Sequence, residues 1–179
     1  MRLLQATVAV LAWIGISLST FFWTLLIAAV YAGHPLWDPQ LKLAHRIASL
    51  WGRGLVSLAP GSRVILTGRE HLPAGRAVIF MANHQSYVDV PALFFVPAQF
   101  KWLADVGLFR MPVFGWAMAM AGYISVRRGD GREAVRSLQK AERLLKQGIS
   151  VFIFPEGTRS YTGVLGRFQI NLSSHLHNV

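Results

Sequence analysis

Cysteine is absent from this 179-residue chain. Disulfides, thiolate nucleophiles and cysteine-ligated zinc are therefore excluded, and a reducing compartment suits the chain. Acidic residues are scarce, 8 Asp and Glu against 18 Lys and Arg, which leaves a formal net charge of +10. A surface of that sign draws phosphate groups, whether of nucleic acid or of anionic lipid. No nucleic-acid-binding motif accompanies the charge, so anionic lipid is the expected partner and nucleic acid is not. There is no internal repeat and no low-complexity linker. Charge of either sign is missing altogether from Leu3 to Gly33.

That uncharged run is what the chain has in place of the missing groups. A membrane-spanning helix needs about 20 apolar residues. As one straight helix the run would reach roughly 45 Å, longer than the hydrocarbon core of about 30 Å. It can tilt, or break near Gly15, Ser17 and Ser19 into a re-entrant hairpin. Its length favours a retained anchor over a secretory leader. Lys42, Arg46, Arg53 and Arg63 follow it, which by the positive-inside bias turns the body of the protein to the cytoplasm. Asp38 and Pro39 then open a helix with Leu43, Ile47, Leu50 and Trp51 at helical spacing. It reads either as an amphipathic helix at the membrane interface or as a core helix of the soluble part. His45 sits beside the stripe and reads as structural. Residues 1–58 are thus expected to form a membrane anchor and interfacial helix, and residues 59–179 a second, soluble unit.

In the soluble part, runs rich in β-branched and aromatic residues read as strands: 63–68, 77–83, 100–104, 123–127 and 150–154. Between the last two, Val135, Leu138, Ala141 and Leu145 form one helical face, and Gly148 ends the helix. Strands alternating with helices indicate an α/β fold with a largely parallel sheet. Ligands of such sheets gather at the carboxyl ends of the strands. Two polar clusters lie there: "NHQSYVD" (83–89) after one strand and "FPEGTRS" (154–160) at the end of another.

His84 and Asp89 stand five positions apart. Within one helix they would point about 140° away from each other, so a pair requires His84 on the turn and Asp89 in the first helical turn. Asp89 would then fix the tautomer of an imidazole that removes a proton from a hydroxyl. The competing reading is a capping box, with Ser86 at the cap and Asp89 three residues on. In the second cluster Gly157 frees the backbone to turn, Arg159 can hold a phosphate bidentately, and Glu156 can orient the arginine or a hydroxyl. Lys101, in an apolar strand, is either an edge-strand gatekeeper or a charge aimed at an anionic ligand. Arg127 and Arg128 end a strand on the expected ligand side. His175 and His177 lack an acidic or cysteine partner, so no metal site is expected.

Together these stretches resemble the glycerolipid acyltransferase family, in particular 1-acyl-sn-glycerol-3-phosphate acyltransferases. "NHQSYVD" matches the family's Asn-His-x-x-x-x-Asp block, "GYISVRR" its second block and "FPEGTRS" its third, in the right order; "KWLADVGLFRMPVFGWAMAMAG" is typical of the segment between the first two. The resemblance covers about residues 60 to 168. It implies acyl transfer from acyl-coenzyme A or an acyl carrier protein to the sn-2 hydroxyl of lysophosphatidic acid, giving phosphatidic acid at the cytoplasmic face of a membrane, expected to be a bacterial inner membrane. No cofactor is implied beyond the acyl donor. By position, His84 would be the general base and Asp89 its orienting partner. Lys101, Arg128, Glu156, Gly157, Thr158 and Arg159 would shape the phosphate and glycerol site, with Asn83 and Ser86 in support. The alternatives are another lysolipid acceptor, or a non-catalytic truncated membrane-associated protein. The second arises because the family's Phe-Lys-x-Gly stretch meets Gln169 in place of lysine, and the further strands and fourth block do not follow. The soluble unit is therefore expected to be C-terminally incomplete.

Overall fold

The computed structural model describes residues 2–59, 61–73, 75–127, 131–160, 162–166 and 168. Arg128, Gln169, His175 and His177 lie outside these described residues. Helix α1 (Arg2–Ala32) is followed by the short α2 (His34–Trp37) and by α3 (Lys42–Leu58). The sheet follows: β1 (Ile79–Met81), α4 (Asp89–Leu93), β2 (Phe100–Asp105), α5 (Val106–Phe109), α6 (Phe114–Met120), β3 (Ile124–Val126), α7 (Gly131–Lys146) and β4 (Ser150–Ile153). The strand order is β1-β4-β2-β3, and each neighbouring pair is parallel.

A parallel sheet covered on both faces needs strands apolar on both sides. β2 and β4 meet that demand. Phe100, Trp102 and Phe152 pack with Phe94, Met118 and Tyr123 on one face, while Leu103, Val151 and Ile153 pack with Leu138, Ala141 and Leu145 of α7 on the other. Leu138, Ala141 and Leu145 of the expected α7 face are buried, Val135 is half-buried at the cavity, and the helix stops before Gly148, which has a positive φ of 77°.

Helix α1 runs unbroken, which favours the straight alternative over a hairpin. It is the helix among the described residues that is long and apolar enough to cross a membrane. Its C-terminal half nevertheless packs on α3 and α6, and Ile27 joins Ala44, Ala48 and Phe100 in one core. α3 is therefore a core helix on its small-residue side, with Ala44, His45, Ala48, Ser49, Gly52 and Val56 buried. Its other side keeps Leu43 and Leu50 exposed.

One expected strand does not form among the described residues. Residues 63–68 make no ladder there, Gly68 has a left-handed φ of 76°, and Ile65 is 72% exposed. β-propensity describes fitness for a pleated, half-buried surface. Without a neighbour to take up its N–H and C=O groups, the segment has no strand to join.

Candidate active site

All four strands deliver their C-terminal residues to one place. His84 follows β1, Asp105 ends β2, Arg127 follows β3, and Phe154, Gly157 and Arg159 follow β4; all of them line a single cavity of about 900 Å³. This is the switch-side position expected for a ligand in an open parallel sheet.

The turn after β1 brings His84 and Asp89 together. The His84 Nδ1 and Asp89 Oδ2 are 2.9 Å apart. The same carboxylate oxygen accepts the backbone N–H groups of Gln85 at 2.7 Å and Ser86 at 2.8 Å. Partial burial pushes the Asp89 carboxyl upward, but the bonds from Ser86, His84 and Gln85 outweigh it and hold the carboxyl below its ordinary value. The dyad and the capping reading are thus halves of one arrangement: Asp89 opens α4, folds the preceding turn over itself, and holds the ring. The capping box itself is shifted, since the Ser86 hydroxyl accepts from the Val88 N–H at 3.1 Å and not from Asp89.

The loop after β4 closes against this turn. The Ser160 N–H donates to the His84 carbonyl at 2.7 Å. The Phe154 ring lies nearly parallel to the imidazole, with centroids 4.1 Å apart. Gly157 turns the loop with φ of 65°, in the left-handed region, and its N–H donates to the Phe154 carbonyl at 3.0 Å. The Arg159 guanidinium lies 3.5 Å from the centroid of the Tyr87 ring. Arg127 is exposed at the same cavity. Glu156 is only 4% exposed; its Oε2 accepts the Gly166 N–H at 2.8 Å and its Oε1 has no partner among the described residues. It holds the far side of the loop. Thr158 and Asn83 are exposed beside the pair, and Ser86 serves the turn.

Lys101 is a correction to the expectation that it meets the ligand. It is 1% exposed, and its Nζ donates to the Leu41 carbonyl at 2.7 Å and the Ala121 carbonyl at 2.8 Å. It sits level with Val151, three residues before Phe154, and does not line the cavity with His84. Nor is it an edge gatekeeper, because β2 is an interior strand. Burial pulls its pKa down to about 7 from 10.5, Asp38 opposing and Lys140 reinforcing the effect. Its work is to tie the start of α3 to the end of α6. His45 is structural as expected, buried with Nδ1 3.1 Å from the Tyr123 hydroxyl; burial, then Lys101, lowers its pKa to about 3.

From the dyad the cavity runs between mainly apolar walls to Thr20, Trp23, Thr24 and Ile27 of α1. Trp51 and Trp102 both line the cavity, and their indole Nε1 atoms are buried without a partner among the described residues. Trp51 is expected from its helical stripe, whereas the sequence alone gives Tyr87, Phe154, Asp105 and Trp102 no site role. Tyr87 and Phe154 lie inside the polar blocks, and that adjacency was the available signal. Among the described residues, no group of His, Asp and Glu could hold a metal ion.

A family model described as acyltransferase matches residues 63–175. The chain is 40% identical over 151 residues to a chloroplastic 1-acyl-sn-glycerol-3-phosphate acyltransferase of Arabidopsis thaliana, covering 82% of this chain and 42% of that one. It is 33% identical over 175 residues to a 1-acyl-sn-glycerol-3-phosphate acyltransferase of Pseudomonas aeruginosa, covering 94% and 65%. The crystal structure of the 1-acyl-sn-glycerophosphate acyltransferase of Thermotoga maritima superposes with a TM-score of 0.54 at 26% identity, covering 85% of this chain and 65% of that chain. The chain thus spans from about two fifths to two thirds of these relatives. The matched region holds both polar clusters and every strand of the sheet, and the chain belongs to the acyltransferase family.

Proposed function

We propose that this chain transfers a fatty acyl group from a thioester, of coenzyme A or of an acyl carrier protein, to the sn-2 hydroxyl of lysophosphatidic acid. The observation that carries the reading is the His84–Asp89 pair, 2.9 Å apart, at a largely apolar cavity of about 900 Å³ that also holds Arg127 and Arg159.

With Nδ1–H donated to an ionised Asp89, Nε2 of His84 is left as the acceptor. It takes the proton of the acceptor hydroxyl as that oxygen attacks the thioester carbonyl. The tetrahedral intermediate collapses, the ester forms, and the C–S bond breaks. The thiolate leaves with the proton returned by the imidazolium. Arg159 and Arg127 suit the phosphate of the lysolipid, and the apolar walls suit an acyl chain. Helix α1 would keep the cavity beside the membrane that supplies the acceptor, and the basic residues after it favour a cytoplasmic active site.

The test is thioester-dependent acylation of lysophosphatidic acid by membranes containing the full chain. Wild type should turn over, and His84→Ala should lose on the order of 10³-fold in kcat. Equal rates for the two would overturn the proposed base. A panel of lysolipids lacking the phosphate should be acylated far more slowly.

A further inference from the structure

Helix α3 has two lined sides. Ala48, Trp51 and Leu55 face the reaction cavity. Lys42, Arg46, Ser49 and Arg53, at i, i+4, i+7 and i+11, face a separate cleft of about 940 Å³ on the opposite side of the helix. Lys42 and Arg46 are exposed. Arg53 is held in place: its Nε donates to the Phe94 carbonyl at 2.7 Å and its guanidinium lies 5.6 Å from the Phe95 ring centroid. The cleft also contains Gln99, whose Nε2 is buried and has no hydrogen-bond partner among the described residues. The acid in the lining is Asp38, and its carboxylate already accepts the N–H groups of Lys42, Leu43 and Ala44 at the start of α3. Lys42, Arg46 and Arg53 therefore outnumber the single acid that lines the cleft.

The rest of the rim is apolar. Ala29 and Val30 come from the end of α1, and Trp37, Leu43 and Leu50 are 65%, 45% and 47% exposed. Three cations, set beside exposed apolar groups at the end of a helix apolar enough to cross a membrane, match an amphiphile with a phosphate at one end. A soluble acidic partner would leave the leucines and tryptophan uncovered.

We propose that this cleft binds the headgroup of an anionic phospholipid that is not the substrate, with its chains running along the outer surface of α1. Such a lipid would seat the chain at a defined depth in the membrane, through a site separated from the reaction cavity by the width of α3.

The experiment uses the full chain in a non-ionic detergent, with lipid binding read by native mass spectrometry and no turnover required. Phosphatidylglycerol and phosphatidylcholine are titrated against wild type, Lys42→Gln/Arg46→Gln, Arg46→Lys and Arg159→Gln. Wild type and Arg159→Gln should prefer phosphatidylglycerol alike. The double variant should lose about fivefold for each cation removed, roughly 25-fold in all, and Arg46→Lys should keep the preference. Both substituted side chains are exposed, and an unchanged melting temperature confirms the fold. Three outcomes overturn the proposal: equal retention by wild type and the double variant; loss of the preference in Arg159→Gln, which would put the lipid in the reaction cavity; and displacement by inorganic phosphate at the same concentration as lipid, which would make it a soluble-anion site.

Discussion

The imidazole of His84 lies flat on the ring of Phe154, tilted by 17° with centroids 4.1 Å apart, so the ring is held between a carboxylate at its Nδ1 and an aromatic wall at its face. Phe154→Ala should leave the Asp89 bond in place but let the ring tilt, lowering kcat by about 10- to 100-fold through misplacement of Nε2. Phe154→Tyr should recover most of the rate. Single-turnover kinetics beside a thermal melt separates this from simple unfolding.

Asp89→Asn tests the charge and not the shape. The amide cannot hold the imidazolium that forms as the hydroxyl proton moves, so kcat should fall by about 10³-fold or more. The pH dependence follows from the direction of the Asp89 shift. Its carboxyl is held below the ordinary value, so its contribution to stability is full above the unfolded carboxylate pKa and is lost as pH falls through the lower, folded value. Urea titrations across the acid range should show this fade in wild type and not in Asp89→Asn.

Tyr87 is exposed, and Arg159 stacks on it at 3.5 Å. A contact of this kind is worth about 0.5–1 kcal/mol at an exposed site. Tyr87→Ala should therefore raise KM for the phosphate-bearing acceptor by about two- to fivefold while leaving kcat close to wild type. Tyr87→Trp should restore KM. A matching fall in kcat would show that Arg159 acts in the chemical step and not in binding.

Lys101→Met separates a structural amine from a substrate-binding one. The carbonyls of Leu41 and Ala121 would lose their buried donor. Each costs about 1–3 kcal/mol, partly offset by removing a buried cation, so a net destabilisation of about 2–4 kcal/mol is expected in chemical denaturation. KM for the acceptor should not move. The folded pKa of about 7 lies below the ordinary 10.5, so between those values the unfolded chain binds more protons. This group therefore makes the protein more stable as pH rises through that window. Lys101→Met should lack that slope.

Much of the site could be read from residue order. Both polar blocks sit directly after strand patterns, and a parallel sheet sends such segments to one edge, so His84, Asp89, Gly157 and Arg159 meet as expected. Lys101 could not be read. A lone cation in an apolar strand looks the same whether it meets a ligand or two carbonyls, and its partners at Leu41 and Ala121 lie 60 and 20 residues away. Residues 63–68 have strand chemistry without a strand neighbour among the described residues, which no local pattern reveals. The division at residue 58 followed hydropathy, yet Ile27 and Ala44 share a core with Phe100 because the apolar helices pack on the sheet as well as suiting lipid. Tyr87 and Phe154 matter through contacts across the two loops, at separations that carry no periodic signal.

The strand order β1-β4-β2-β3 places β4, the last of the described strands, inside the sheet as the bridge between β1 and β2. During synthesis β1 has no ladder to enter until β4 emerges about 70 residues later, several seconds at translation rates of roughly 5–20 residues per second. By then α1 has long since left the ribosome and can already be in lipid. The nascent protein must wait with an open-edged half-sheet, and a ribosome pausing before residue 150 would strand it in that form, prone to sticking to its neighbours.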